Sequence, residues 1–97
     1  MRSIHWNKLA RLDYFENIDY LLKEWSEKEA QDFIDEVYET EIILEQGKVD
    51  FQDTNRPDTK RYVLCKQITL FYKIIDKQNI ELLRFWNNRQ DNMELKL

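Results

Sequence analysis

The residue types that most often carry acid–base, nucleophilic or metal chemistry are scarce in this chain of 97 residues. It contains one histidine, His5, and one cysteine, Cys65. Structural and catalytic zinc sites need several Cys, His or carboxylate ligands at short spacings, and neither residue has such a neighbour. We therefore interpret His5 as a strand or surface histidine and Cys65 as a small buried hydrophobic residue, not a nucleophile.

Cationic and aromatic residues near the end of the chain are the stronger candidates. The apolar segment Leu82–Trp86 passes directly into the polar residues that follow Trp86, which predicts a half-exposed indole beside a cation. Aromatic and arginine side chains in that situation are frequent anchors of protein interfaces. The predicted partner-binding residues are Arg84, Trp86, Asn88 and Arg89, with Lys66 and Lys73 as an extension. Core packing of Trp86 and a plain solvated sheet face remain the alternatives. Strict alternation along the strand predicts Leu82, Arg84 and Trp86 on one face and Leu83 and Phe85 on the other.

The charges are divided unevenly along the chain. Residues 1–47 hold 5 Lys and Arg against 12 Asp and Glu, whereas residues 48–97 hold 10 against 7. This division predicts an acidic side and a mildly basic side, the latter suited to an acidic partner. The sequence pI of about 5.0 argues against binding that depends mainly on phosphate contacts, and against sequence-specific DNA binding.

Composition excludes several further classes of protein. A single glycine, Gly47, and a single proline, Pro57, exclude glycine-rich phosphate loops and proline-rich linkers, and no cofactor or metal is predicted. One cysteine allows no intrachain disulfide. The length suits a single domain, residues 1–97, and the absence of a signal-length or membrane-length apolar segment predicts a soluble cytoplasmic protein with no membrane contact.

Two helices follow a short strand in the first half. Ser3–Trp6 alternates polar and apolar residues, and Asn7 is a favourable N-cap. Helical spacing then predicts one buried stripe, and a capping box at Ser26–Glu29 starts a second helix that Gly47 ends. The stripe of the first helix is Leu9, Leu12, Phe15, Ile18, Leu22 and Trp25; that of the second is Ala30, Phe33, Ile34, Val37 and Leu44.

The second half has the period of two that is typical of strands. Phe51–Lys60 is polar and predicts a loop, after which three segments rich in β-branched and aromatic residues predict an antiparallel meander. The segments are Tyr62–Cys65, Ile68–Ile75 and Ile80–Trp86. The predicted fold is therefore α+β, with a helical hairpin packed on a small antiparallel sheet in the order β-α-α-β-β-β.

This order of elements resembles the RelE/ParE superfamily of toxins from bacterial type II toxin–antitoxin modules. The resemblance covers nearly the whole chain and is strongest in the strand Ile68–Ile74 and in the ending Leu82–Gln90, where a hydrophobic strand leads into an arginine-bearing polar segment. It implies a cytoplasmic, growth-inhibiting component of a plasmid-stabilisation or addiction module. A cognate antitoxin would bind and silence it.

The superfamily implies two activities, and the residues favour one of them. RelE-like messenger-RNA endonucleases use lysines and arginines on the sheet together with a tyrosine or histidine near the C-terminus. Arg89 occupies the position of the terminal arginine, but Thr69 stands where an arginine is expected, and the tail after Arg89 has neither tyrosine nor histidine. We therefore predict a ParE-like toxin that acts by protein binding, with DNA gyrase as the first candidate target.

Two alternatives stay open. The first is a ribosome-dependent endonuclease with relocated catalytic groups, in which Arg89 would act with Arg61 and Lys66 as phosphate contacts. The second is a non-toxic module that only binds its antitoxin and regulates the operon.

Overall fold

Two helices pack against one face of a twisted sheet in the computed structural model, which describes residues 1–97 except for the side chain of Asn92. In chain order, the elements are β1 (Ser3–Trp6), α1 (Lys8–Glu24), α2 (Glu27–Gln46), β2 (Gln52–Asp53), β3 (Thr59–Cys65), β4 (Ile68–Asp76), β5 (Asn79–Asn87) and a 3-10 turn at Asn92–Glu94. The predicted α+β fold, with a helical hairpin on a small sheet, is confirmed.

The described strands form one sheet in the order β1-β5-β4-β3-β2. The predicted meander is confirmed, since β3, β4 and β5 pair antiparallel in sequence. The first strand joins the sheet beside the last one and runs parallel to it, with Ile4 opposite Ile80 and Trp6 opposite Leu82. The sheet is therefore mixed, because β1 and β5 are connected through the whole intervening chain and not by a hairpin.

The prediction of a loop over Phe51–Lys60 is wrong in part. Gln52 and Asp53 form the short edge strand β2, opposite Arg61 and Lys60, and β3 already begins at Thr59. The Thr54 hydroxyl closes the intervening turn by donating to the Thr59 carbonyl oxygen at 2.9 Å. Both faces of this edge hairpin carry polar residues, so it lacks the apolar alternation by which strands are detected in sequence.

The predicted helix ends are confirmed by their hydrogen bonds. The Asn7 side chain accepts from the Ala10 amide at 2.8 Å, and the Ser26 hydroxyl accepts from the Glu29 amide at 3.2 Å. Helix α2 ends at Gly47, whose φ of 70° is the left-handed conformation that glycine adopts at low cost.

The predicted buried stripe of α1 is wrong, whereas that of α2 is largely confirmed. Five of the six predicted residues of α1 are between 46% and 60% exposed: Leu9, Leu12, Phe15, Leu22 and Trp25. Helix α1 instead buries Ala10, Asp13, Asn17 and Leu21. In α2, the predicted residues Ala30, Phe33, Val37 and Leu44 are buried.

The reason for this difference lies at the edge of β5. Strand β1 pairs with β5 only as far as Leu82, so the backbone beyond that residue needs other partners. Asp13 accepts from the Phe85 amide at 3.1 Å, and Asn17 donates to the Phe85 carbonyl oxygen at 2.8 Å. Helix α1 thus turns polar side chains inward to complete the hydrogen bonding of a strand.

The core lies between the helices and the sheet. Phe33 and Leu44 of α2 meet Leu70, Tyr72 and Leu82, which are all buried. Around Phe85, the rings of Trp6 and Tyr14 approach to 5.0 and 5.8 Å between centroids. No helix in the described part of the chain is long and apolar enough to cross a membrane.

Candidate functional site

A β-bulge decides which side chains of β5 share a face. Phe71 pairs with Arg84, but the next residue, Tyr72, pairs with Leu82, which leaves Leu83 unpaired. The sequence alternation predicts Leu82 and Phe85 on opposite faces, and this prediction is wrong, because both enter the core. Arg84 and Trp86 lie on the other side of the strand, here called the open face, and are not part of the core cluster between the sheet and the helices.

Arg84 is held by an internal ion pair. Its Nε lies 2.7 Å from Oδ2 of Asp13, and its Nη2 lies 3.0 Å from Oδ1, so the two groups meet in a bidentate arrangement. The same carboxylate accepts a hydrogen bond from the Phe85 backbone amide. One side chain of α1 therefore binds two consecutive residues of β5. The hydrogen bond to Asp13 raises the pKa of Arg84 above its ordinary value.

Trp86 is buried, with 3% of its surface exposed, so the half-exposed indole is excluded and the alternative of a packed Trp86 is the one observed. The guanidinium carbon of Arg84 lies 5.2 Å from the centre of its ring, a cation–π contact between residues two apart on one strand face. Across the sheet, Trp86 is opposite Thr69, which is also buried. The structure therefore brings Arg84 and Trp86 together, but as a packed pair and not as an exposed anchor.

Asn88 and Arg89 are exposed and diverge from that pair. The side-chain oxygen of Asn88 accepts from the Thr69 hydroxyl at 3.1 Å, and the backbone N–H of Asn88 donates to the Gln67 carbonyl oxygen at 2.7 Å. Arg89 turns towards α1, where its guanidinium carbon lies 4.4 Å from the centre of the Tyr20 ring. A cavity of about 340 Å³ beside this contact is lined by Glu16, Asp19, Tyr20, Lys23, Glu24 and Arg89.

The other predicted cations lie elsewhere on the sheet. Arg61 is opposite Phe71 on the open face and lines a cavity of about 490 Å³ together with Leu95 and Leu97 of the tail. Lys73 lines a neighbouring cavity of about 500 Å³ with Glu81 and Leu83. Lys66 is in the turn between β3 and β4, where its carbonyl oxygen accepts from Asn88 at 3.4 Å. Arg61 and Arg89 therefore line different cavities.

His5 and Cys65 line none of the three cavities described above. Nε2 of His5 is 2.9 Å from Oδ1 of Asn79 in an exposed position. Cys65 packs against the core, and burial raises the pKa of its thiol, which disfavours the reactive thiolate. Among the described side chains, no three His, Cys, Asp or Glu residues are grouped so that they could hold a metal ion.

Sequence reasoning missed the buried polar residues that link α1 to the last strand. Asn87 donates to Asn17 Oδ1 at 3.2 Å, which extends the contacts of Asp13 and Asn17 along the strand. One signal in the sequence was available: Asp13 and Asn17 are four residues apart, on the helix side that also carries Ala10 and Leu21. Polar residues on a side with small and apolar neighbours indicate a buried hydrogen-bonding role.

Comparison with known proteins finds similarity in structure only. No family model matches the sequence, and no curated protein matches it significantly. Among solved structures, the chain is similar to one from the chromosomal ParDE toxin–antitoxin system of P. aeruginosa, with a TM-score of 0.72 and 17% identity. The match covers 90% of this chain and 96% of the other. At this identity the match establishes a common fold.

Proposed function

We propose that this chain is the toxin-type component of a bacterial type II toxin–antitoxin module and is neutralised by a cognate antitoxin polypeptide. The observation that carries the proposal is the fold, which is similar over 90% of the chain to a chain of the ParDE system. We further propose that it acts in the cytoplasm by binding a protein, with DNA gyrase as the first candidate. Growth inhibition and plasmid stabilisation belong to the same proposal.

The placement of the cations supports a function in protein binding and not in RNA cleavage. Cleavage would need cations to converge on one phosphate, with an acid and a base nearby. Arg61 is on the open face, whereas Arg89 contacts Tyr20 of α1. The position at which an arginine is expected is the buried Thr69, whose hydroxyl is engaged by Asn88.

The proposed partner-binding residues fall into two roles. Asn88 and Arg89 are exposed, so they can contact a partner directly. Arg89 lines a cavity that also contains one other cation and three carboxylates: Lys23, Glu16, Asp19 and Glu24. Arg84 and Trp86 are internal and hold the end of β5 in place. A partner that inserts a cationic or hydrogen-bonding side chain would fit this cavity.

The test in cells is induction of the chain without antitoxin, followed within minutes by incorporation of labelled thymidine and labelled methionine. The proposal expects thymidine incorporation to fall first, because gyrase inhibition stops replication before protein synthesis. An early fall in methionine incorporation alone would instead support the ribosome-dependent endonuclease. If neither changes, the chain is not a toxin under these conditions and the proposal fails.

A purified system separates the target from secondary effects. Increasing amounts of the chain are added to DNA gyrase with relaxed plasmid, and supercoiling is measured; a matched reaction with ribosomes and messenger RNA measures cleavage. Inhibition of supercoiling with intact messenger RNA is the expected result. Arg89→Ala is the companion variant, expected to inhibit gyrase less strongly.

A further inference from the structure

The tail of the chain shelters apolar residues that lie outside the core. Leu83 is buried and Phe71 is half-buried, yet neither belongs to the core cluster between the helices and the sheet. Leu95 lines the same cavity as Phe71, and Leu97 lines both that cavity and the neighbouring one, which Leu83 also lines. Two leucines of the tail therefore lie beside a small apolar area that is separate from the core.

We call residues 93–97 the strap, and the two cavities that share Leu97 in their walls the sheet groove. Exposure alternates along the strap, since Glu94 and Lys96 are exposed whereas Leu95 and Leu97 are half-buried. This is the alternation of an extended segment that lies on a surface with every second side chain inward. The strap is therefore seated in the groove through its two leucines.

Few polar contacts hold the strap in place. The Met93 amide donates to Oδ1 of Asp91 at 2.9 Å, and the Glu94 amide donates to the Asp91 carbonyl oxygen at 2.9 Å, so both hydrogen bonds are local. Within the described part of the chain, no hydrogen bond or ion pair joins residues 93–97 to a strand. Segments with few hydrogen bonds and little buried apolar surface open at low free-energy cost. The strap can thus leave the groove while the sheet stays intact.

The two ends of the sheet groove differ in charge. The charged residues are Asp53, Arg56 and Arg61 in the cavity with Phe71, and Arg56, Asp58, Lys73 and Glu81 in the cavity with Leu83. In the first cavity, Asp53 is already bound by Lys60, whereas the two arginines form no ion pair with any described residue. The first end therefore carries free positive charge, and the second end is balanced. A complementary ligand places a carboxylate at the first end.

The sequence of the strap has the matching order. Glu94 directly precedes Leu95, whose side chain lines the positive end of the groove. Glu94 itself is exposed and forms no ion pair among the described residues. The strap therefore makes the apolar contacts of the groove but leaves the charges of Arg56 and Arg61 for another segment.

We propose that the sheet groove binds an extended acidic segment of a partner polypeptide, which inserts two aliphatic side chains two residues apart and places a carboxylate beside Arg56 and Arg61. In the free chain the strap occupies the groove as an internal ligand and competes with that segment. Because the strap is tethered, its effective concentration is about millimolar, so the partner segment has to bind more tightly than the strap to replace it. The strap thus sets the affinity that a partner must reach.

The first experiment frees the groove in the full chain. Leu95→Asn together with Leu97→Asn removes the aliphatic side chains of the strap at nearly constant size, and Met93→Asn is the matched change at a strap residue that is 91% exposed. Leu95→Ala with Leu97→Ala is a milder pair. Each protein is labelled with nitrogen-15 and titrated with an unlabelled peptide that has the sequence of residues 91–97, while proton–nitrogen spectra report both folding and binding.

The double asparagine variant should bind this peptide about tenfold more tightly than the parent chain does, because its groove is no longer occupied. The alanine pair should show a smaller gain, and Met93→Asn should behave as the parent chain. Binding should shift the backbone amide signals of Arg61 and Phe71, which line the groove.

Charge exchange tests the preference for an acidic segment. In the double asparagine variant, Arg56→Glu with Arg61→Glu should weaken binding of the peptide by about tenfold at low salt, and a peptide that carries Glu94→Lys should restore it. The matched control is Lys8→Glu with Arg11→Glu on α1, two exposed cations that line neither cavity, and it should leave binding unchanged. A failure of the restoration overturns the proposed charge pairing.

Three further results would overturn the proposal. The first is a double asparagine variant that does not bind the peptide at about 1 mM. The second is equal binding to this variant and to the parent chain, which would place the peptide outside the groove. The third is a groove that binds a short single-stranded oligonucleotide and not the peptide. All of these measurements use the purified chain alone, without gyrase or cells, so this proposal and the proposed function fail separately.

Discussion

Asp13 is the residue that joins α1 to the last strand. Its carboxylate accepts from Nε and Nη2 of Arg84 and from the Phe85 amide, and its side chain is nearly buried. Removal of the carboxylate would leave a partly buried guanidinium and a buried amide without their partner.

Asp13→Ala is therefore expected to lower the free energy of unfolding by about 3–5 kcal/mol. Urea unfolding followed by circular dichroism measures this change. The matched control is Asp32→Ala, which removes an ion pair with Lys28 that is exposed and screened by solvent, and it should change the free energy of unfolding far less than Asp13→Ala does. Equal losses in the two variants would contradict the role assigned to Asp13.

The free energy of unfolding depends on pH through the buried Tyr72. Burial is the main cause that raises the pKa of its hydroxyl from 10.0 to about 12, although the oxygen accepts from the Phe51 amide at 2.9 Å. The unfolded chain ionises near pH 10, whereas the folded chain keeps the proton to higher pH. The stability that this tyrosine contributes is thus complete below about pH 10 and is lost as pH rises towards about 12.

Tyr72→Phe should weaken the alkaline loss of stability in that window, by at most about 2.7 kcal/mol. At neutral pH the same variant should be less stable by about 1–3 kcal/mol, because the Phe51 amide loses its acceptor. Urea unfolding at pH 7 and at a series of values from 9 to 12 checks both effects. A parallel decline of the two proteins with pH would contradict the assignment to Tyr72.

At the scale of elements, the ends of the helices follow directly from local sequence. Asn7, Ser26 and Gly47 form the caps that their residue types predict, since each acts on backbone groups within a few positions. The buried side of α1 could not be predicted in the same way. Its apolar residues would suit a core, but Asp13 and Asn17 face inward instead. They do so because they form hydrogen bonds with the free edge of β5, which lies 68 to 72 residues later in the chain.

Gly47 offers a test at this scale. A Cβ added there would lie 3.3 Å from Nε of Arg2, which is held by the Leu44 carbonyl oxygen and Asp50. Gly47→Ala should cost about 1 kcal/mol or more in urea unfolding, from left-handed strain together with this contact. Gly47→Asn makes the same contact but tolerates the left-handed conformation, so it should cost less; the reverse order would contradict the strain argument.

At the scale of the whole molecule, two residues at the end of β5 are expected to have different roles: Trp86 stabilises the fold, whereas Arg89 is available for binding. Trp86 is buried, so Trp86→Ala is expected to lower the free energy of unfolding by about 3–5 kcal/mol. Arg89 is exposed and loses only its contact with Tyr20, so Arg89→Ala should cost about 1 kcal/mol or less.

The proposed function adds an expectation for cells. Arg89→Ala should weaken growth inhibition while keeping the urea midpoint close to that of the parent chain. Both are measured on the same variant, with dose-controlled induction and immunoblots to equalise the amount of protein. Undiminished growth inhibition would remove Arg89 from the partner-binding residues.

The sequence by itself determined the order of helices and strands, the caps and the meander, because these depend on periodicity and on contacts between near neighbours. Only the tertiary structure decided that Trp86 is buried, that a bulge at Leu83 brings Leu82 and Phe85 to one face, and that α1 exposes its apolar stripe. Each of these depends on pairing between residues far apart in the chain. Strand register and the hydrogen bonding of a free sheet edge are properties of the assembled fold. The spacing of Asp13 and Asn17 can indicate a buried side of α1, but it does not say which strand they bind.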